Sequence, residues 1–277
     1  MNRINIFLEH IYEACAQRGI PLGQMLCEAH EMGYFGLECD LWRLSAGAET
    51  RALFERCGMK AASIYSWYDF PHDAEFQSLE KMKAHLEAAE LFGADKIMAI
   101  PGFFQPGDDR DCVFDRCAEQ LQKLTELAAE RGITVTVEDF DDLNSPCCNI
   151  AGLSRLFEGA PGLRFTLDTG NFAYVRESAA EACKLLRGRI SHVHLKDRSR
   201  DSSRADRDGK NAKADISGEI MYPCETGGGY IGIEPLVKEL ARSGYSGDFS
   251  VEHFGAVDQT EYMRRSAENV KRWLSEV

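Results

Sequence analysis

A single α/β domain over residues 1–277, a (β/α)8 (TIM) barrel with an extended loop after the seventh strand, is the fold this chain predicts. Three observations carry that expectation. A short apolar or β-branched run recurs eight times, separated by amphipathic helical stretches that end in glycine. The runs lack clean polar–apolar alternation, as parallel strands covered on both faces do. Eight βα units in 277 residues is also the size of such a barrel. An open doubly wound sheet would want a glycine-rich phosphate loop after its first strand, and none follows here.

The first run is Ile4-Asn5-Ile6-Phe7-Leu8. Met32-Gly33 then leads into Gly36-Leu37-Glu38-Cys39, and Cys57-Gly58 into Ala61-Ala62-Ser63-Ile64-Tyr65. Phe92-Gly93 leads into Lys96-Ile97-Met98-Ala99-Ile100, and Arg131-Gly132 into Ile133-Thr134-Val135-Thr136-Val137. Gly159 and Gly162 precede Leu163-Arg164-Phe165-Thr166-Leu167, and Gly188 precedes Ile190-Ser191-His192-Val193-His194. The last run, Phe249-Ser250-Val251, follows Gly244 and Gly247. Each glycine stands where a helix wants a left-handed residue just past its end. Leu79, Met82, Leu86, Ala89 and Phe92 step by three and four, as do Phe114, Cys117, Leu121, Leu124 and Ala128, which places one apolar stripe on each helix.

One interval is twice the usual length: 58 residues separate His194 from Glu252. Its first part, Asp197 to Glu219, is dense in charge and serine, and reads as a solvated loop or as a lid over the site. Gly227-Gly228-Gly229 then lets the chain turn back toward a helix holding Leu236, Val237 and Leu240.

Composition excludes several functions. The 32 Lys+Arg against 45 Asp+Glu leave a net charge of −13, which disfavours nucleic acid and anionic membranes as partners. No apolar run approaches the ~18 residues of a membrane span, and the first run is too short for a signal-peptide core. A soluble cytoplasmic protein acting on a small molecule, with homo-oligomerisation open, is the expectation. Ten cysteines include no CxxC pair, and Cys15, Cys27, Cys57, Cys117 and Cys183 fall among helical apolar positions. Reduced thiols fit better than disulfides, and the vicinal pair Cys147-Cys148 is the place where redox or metal chemistry would be sought.

In a barrel of this kind the C-terminal strand ends converge on one mouth, where chemistry is done. Glu138, Asp168, His194 and Glu252 each end a strand. Three crowded carboxylates repel unless a cation offsets them, and oxygen ligands with one imidazole suit Mn2+, Mg2+ or Co2+ better than a thiolate-rich zinc site. Taken singly, each residue has a bland explanation as a helix cap or a structural histidine; together, on different strand ends, they point to one divalent ion, with Mn2+ expected first and Zn2+ still open.

The stretches Val137-Glu138-Asp139, Leu167-Asp168-Thr169-Gly170-Asn171, His192-Val193-His194-Leu195-Lys196-Asp197, and Gly244-Tyr245-Ser246-Gly247 through Val251-Glu252-His253 resemble the xylose isomerase-like TIM barrels. That superfamily holds sugar isomerases, ketose 3-epimerases, hydroxypyruvate isomerases, inosose dehydratases and endonuclease IV. The resemblance implies a metal held by Glu138, Asp168, His194 and Glu252, with Glu138 and Glu252 as the proton-transfer groups. It also implies a substrate-contacting arginine six residues past the metal histidine, at Arg200, with Arg198 close enough to compete. Ketose 3-epimerases carry a histidine three residues after the metal aspartate; here Asn171 stands there, able to hydrogen-bond a hydroxyl but not to carry a proton.

The expected function is therefore a metal-dependent isomerase or epimerase of a small sugar, cyclitol or keto acid, working through an enediolate. Dehydration on the same site is the alternative. An endonuclease IV-like phosphodiesterase would want more histidines than the seven present, and a non-catalytic sugar-binding barrel stays open. Around the centre, Trp67, Tyr68, Phe70 and His72 follow the third run and Phe103 and Phe104 the fourth; Trp67 and His72 are candidates to contact substrate, with loop packing the alternative. Lys196 could neutralise an anionic substrate group or pair with Asp197 or Glu138. His192 is expected to be structural and to face away from His194, His10 to lie on a helix surface or else to overhang the mouth, and Glu38 to hydrogen-bond behind the metal ligands.

Overall fold

The structure, a computed structural model, describes residues 2–45 and 47–277. Parallel strands β1 (Ile4–Phe7), β2 (Gly36–Asp40), β3 (Lys60–Trp67), β4 (Lys96–Ile100), β5 (Thr134–Glu138), β6 (Arg164–Asp168) and β7 (Ile190–Ser199) lie in chain order. β8 (Lys213–Ala214) and β9 (Ile220–Cys224) sit outside the ring, and β10 (Phe249–Glu252) closes it. β10 pairs with β1 through Ile4↔Phe249 and with β7 through Ser250↔His194, so the sheet is an eight-stranded barrel with no free edge.

The helices form the outer ring: α1 (Leu8–Arg18), α2 (Leu22–Met32), α3 (Ala48–Arg56), α4 (Glu75–Phe92), α5 (Arg110–Ala129), α6 (Ile150–Gly159), α7 (Ala179–Leu185), α8 (Ile233–Arg242) and α9 (Gln259–Ser275). The stripe expected on α4 buries Met82, Leu86, Ala89 and Phe92, and that on α5 buries Cys117, Leu121, Leu124 and Ala128. Each such leucine removes apolar surface worth roughly 1.5–3 kcal/mol. Gly33 and Gly93 end α2 and α4 at φ +97° and +68°, a left-handed geometry that a side chain would strain. Among the described residues no helix is long and apolar enough to cross a membrane. All ten cysteines are free thiols, and Cys147 and Cys148 are buried.

Three expectations change. Leu8 opens α1 rather than ending the first strand, and a second helix, α2, intervenes before β2. More consequentially, the polar segment after His194 is not all loop: β7 runs on to Ser199, and Asp197, Arg198 and Ser199 pair antiparallel with Cys224, Pro223 and Tyr222 of β9. The charged sequence there hides a strand because Lys196 and Asp197 meet fixed partners instead of water. The Asp197 carboxylate accepts hydrogen bonds from the Gly227 and Gly229 amides at 2.9 and 3.0 Å, and so folds the glycine-rich return around the strand end. A side chain at Gly229 would collide with the Arg198 carbonyl.

Candidate metal centre

Glu138, Asp168 and Glu252 are the last residues of β5, β6 and β10, and His194 lies in β7 where it pairs with Asp168 and Ser250. All four are buried, and each offers a ligand atom lying within 4.8 Å of the other three. Atoms bound to one ion at about 2.0–2.4 Å lie no more than roughly 4–5 Å apart, so the spacing fits a single centre. His194 Nδ1 is 3.1 Å from Glu138 Oε2, 3.3 Å from Glu252 Oε2 and 3.9 Å from Asp168 Oδ2.

A sharper observation comes from Asp168. Its Oδ1 accepts from the Gly170 and Asn171 amides at 2.7 and 2.8 Å, which fixes the carboxylate, while its Oδ2 is buried with no hydrogen-bond partner. A buried charged oxygen left unmatched is costly, and a divalent ion satisfies it. Three oxygens and one imidazole nitrogen are the donor set for such an ion.

Behind these four residues stands a second layer. His194 Nε2 lies 3.0 Å from Glu38 Oε1, and Glu38 Oε2 lies 3.0 Å from His192 Nε2, which also meets Ser250 Oγ at 2.9 Å. Glu38 thereby orients the His194 ring with Nδ1 toward the carboxylates, as carboxylate–histidine–metal arrangements do. The expected hydrogen-bonding place of Glu38 is what the structure has. His192 differs from expectation: residues two apart on a strand share a face, so His192 and His194 both point inward. His10 is not on a helix surface either; it is buried, stacked on His253 at 4.6 Å, and accepts from the His253 amide at 2.9 Å.

The electrostatics follow from crowding. Burial, reinforced by the charges of Glu252 and Glu138, holds the Asp168 carboxyl well above the usual range, and burial raises Glu138 as well. Burial would raise Glu252 too, but Lys196, with His194, outweighs it and holds this carboxyl low. His194 is pushed well above the ordinary imidazole value because the Glu38 charge and its carboxylate hydrogen bonds overcome burial.

Above the centre a cavity of about 380 Å3 opens. Its polar wall holds Glu138, Asn171, Lys196, Arg198, Asp141 and Glu252; its apolar wall includes Phe7, Tyr65, Trp67, Phe140 and Phe254. Trp67 meets Phe140 edge-on at 5.4 Å, and Phe103 lies 5.8 Å from Trp67, so the aromatic rim packs on itself as well as on the cavity. Lys196 pairs with Glu252 at 2.5 Å rather than with Asp197 or Glu138. Asn171 donates through its side chain to the Asp139 carbonyl at 2.7 Å. Two candidates stand apart from the cavity wall. His72 is held in a loop network by Asp69 at 2.6 Å and Asp108 at 3.1 Å. Arg200 turns outward onto Glu219 at 2.6 Å and the Tyr230 ring at 4.2 Å, leaving Arg198 as the arginine on the cavity wall.

Sequence reasoning missed Asp141, Lys213 and Asp139. Asp141 lies 2.9 Å from Lys213, which the excursion beyond β7 carries to the mouth. Asp139 accepts from the Asp168 amide at 2.8 Å. Both follow Glu138 closely in the chain, the one signal that pointed to them.

The family profile described as xylose isomerase-like TIM barrel matches residues 26–275. The chain belongs to that family. It is 27% identical to the rhizopine catabolism protein MocC of Rhizobium meliloti, over 91% of this chain and 81% of that protein. It is also 27% identical to an inosose dehydratase of Geobacillus thermodenitrificans, over 74% of this chain and 73% of the other. A solved L-ribulose 3-epimerase superposes with a TM-score of 0.73 at 16% identity, covering 100% of this chain and 95% of that one, and so shares its fold.

Proposed function

We propose that this family member is a divalent-metal-dependent enzyme that removes the proton beside the carbonyl of a small polyhydroxy ketone, a sugar, cyclitol or keto acid, through an enediolate. The observation that carries the reading is the unpartnered Asp168 Oδ2 facing two further carboxylates and a fixed imidazole. Glu138, Asp168, His194 and Glu252 would hold the ion, Mn2+ first among the candidates. When bound, it would polarise the carbonyl and stabilise negative charge developing on the enediolate oxygens.

The chain's own residues divide the remaining work. Glu138, kept basic by burial, takes the proton from the carbon beside the carbonyl. Glu252 is the second acid–base group, held by Lys196 at 2.5 Å. Return of a proton to a neighbouring carbon or to the opposite face gives isomerisation or epimerisation. The Phe7, Tyr65 and Phe140 wall excludes water from the reacting face, and Asn171 and Lys196 meet substrate hydroxyls at the polar wall.

Dehydration is the second reading, supported by the identity to an inosose dehydratase, with Asn171, which does not titrate, in the place of the histidine of ketose 3-epimerases. In that case loss of a β-hydroxyl, protonated on departure, follows the same first step. Incubation of ketoses, inososes and keto acids with Mn2+ in D2O tests both: deuterium at the carbon beside the carbonyl reports the shared step, and an unsaturated ketone product reports dehydration. Glu138→Gln is expected to slow exchange at least ~10²-fold. Exchange at the wild-type rate in that variant, with metal still bound, contradicts the assignment.

A further inference from the structure

Arg198 occupies a position that the metal centre leaves unexplained. It is 5% exposed, and its side chain makes no hydrogen bond among the described residues; Nε is buried and unpartnered. The closest carboxylate oxygen, Asp141 Oδ2, is 3.8 Å away, beyond hydrogen-bond reach, and Asp141 is engaged by Lys213 at 2.9 Å. The guanidinium lies 5.2 Å from the centre of the Tyr174 ring, and the residue lines the cavity above the ligands. A guanidinium carries five donors in a rigid planar fork, and burying one of them unpartnered, as at Nε, is costly.

The charges of the mouth point the same way. With a divalent ion on the three carboxylates and His194, Lys196 offsets the negative charge that remains. Asp141 then matches only one of the two cations beside it, Lys213 and Arg198. Arg198 is the deeper of the two, since Lys213 is half exposed, and it is the one that Asp141 does not reach with a hydrogen bond.

We infer that Arg198 is a specificity-determining residue that receives a carboxylate of the substrate, so that the molecule this site takes is a polyhydroxy keto acid rather than a neutral sugar or cyclitol. This rests on the polyhydroxy-ketone reading above and narrows it. A carboxylate matches the fork with two parallel hydrogen bonds and a single charge. A phosphate dianion would want a second cation free of a carboxylate partner, whereas Lys213 is held by Asp141 and Lys196 by Glu252.

Non-reacting cyclic polyols test this without turnover. Quinate carries a ring carboxylate, myo-inositol is neutral, and myo-inositol 1-phosphate is a phosphate control. Calorimetric titration of the Mn2+-loaded protein is expected to give quinate at least about tenfold tighter than myo-inositol. Arg198→Gln should weaken quinate at least about tenfold more than it weakens myo-inositol, and Arg198→Lys should restore part of the preference. A merely structural arginine would change both ligands together, and that result overturns the proposal, as does equal wild-type affinity for quinate and myo-inositol. Tightest binding by the phosphate overturns the carboxylate assignment. Binding of myo-inositol without preference removes Arg198 from specificity yet leaves the polyol reading standing; no binding by any of the three overturns both.

Discussion

On α9, Arg264 and Glu268 meet at 2.6 Å with both side chains about half in solvent; at the barrel mouth, Lys196 and Glu252 meet at 2.5 Å with both almost wholly buried. The lengths match and the consequences do not. The outer pair is one helical turn apart and screened by water, so either partner is replaceable. The inner pair holds charges that have no water to return to, and removing one partner leaves the other uncompensated. The shell thus tolerates its charges, while the mouth depends on each of its own.

The largest effect expected from that contrast is at Lys196. Lys196→Met should destabilise the metal-free protein by about 3–5 kcal/mol, read as a drop in the urea midpoint, because Glu252 is left buried beside Glu138 and Asp168. Saturating Mn2+ should recover much of the loss; an unchanged midpoint would place the pair in the same class as the shell pairs.

A pH titration sharpens the comparison. Asp168 and Glu138 titrate above their ordinary values of 3.8 and 4.5 in the folded protein, and His194 above 6.5. A group with a raised value contributes stability that is full below its unfolded value and is lost as pH rises through its folded value. Urea stability of the metal-free protein should therefore fall from about pH 6.5 to pH 8, above the range in which the buried His85 and His253, both lowered, act in the opposite sense. Glu252 and Asp141, both lowered, contribute in the opposite sense, but only as pH drops below about 4.5. Mn2+ displaces the same protons, so it should flatten or reverse the decline at neutral pH. A decline of the same steepness with and without Mn2+ would mean that these groups do not share the ion. The smallest effect is at the shell: Arg264→Ala should move Tm by no more than about 1–2 °C.

The same division explains what could be read from the chain. Apolar periodicity decides the shell, so the stripes of α4 and α5 and all eight barrel strands are legible locally. Glu138, Asp168, His194 and Glu252 are legible because barrel closure gathers the C-terminal ends of strands wherever they fall in the sequence. Contacts that depend on the closed ring are less so: Glu38 is placed by its strand end, but His10 meets the His253 amide across 243 residues, with no local pattern to announce it. The extension of β7 was illegible for another reason. The segment from Asp197 onward reads as a solvated loop or a lid, yet β9 takes up its backbone and the glycine turn takes up the Asp197 carboxylate. His192 was legible in principle, since the two-residue period of a strand puts it in phase with His194.

Metal stoichiometry tests the central claim most directly. Metal-free protein titrated with Mn2+, followed by the loss of the free-ion paramagnetic resonance signal, should bind one ion per chain, and Asp168→Asn should weaken that binding at least about tenfold, within the range that loss of ligand-shell groups produces. No binding, several equivalent ions, or undiminished affinity in Asp168→Asn would contradict a single centre built on these four residues.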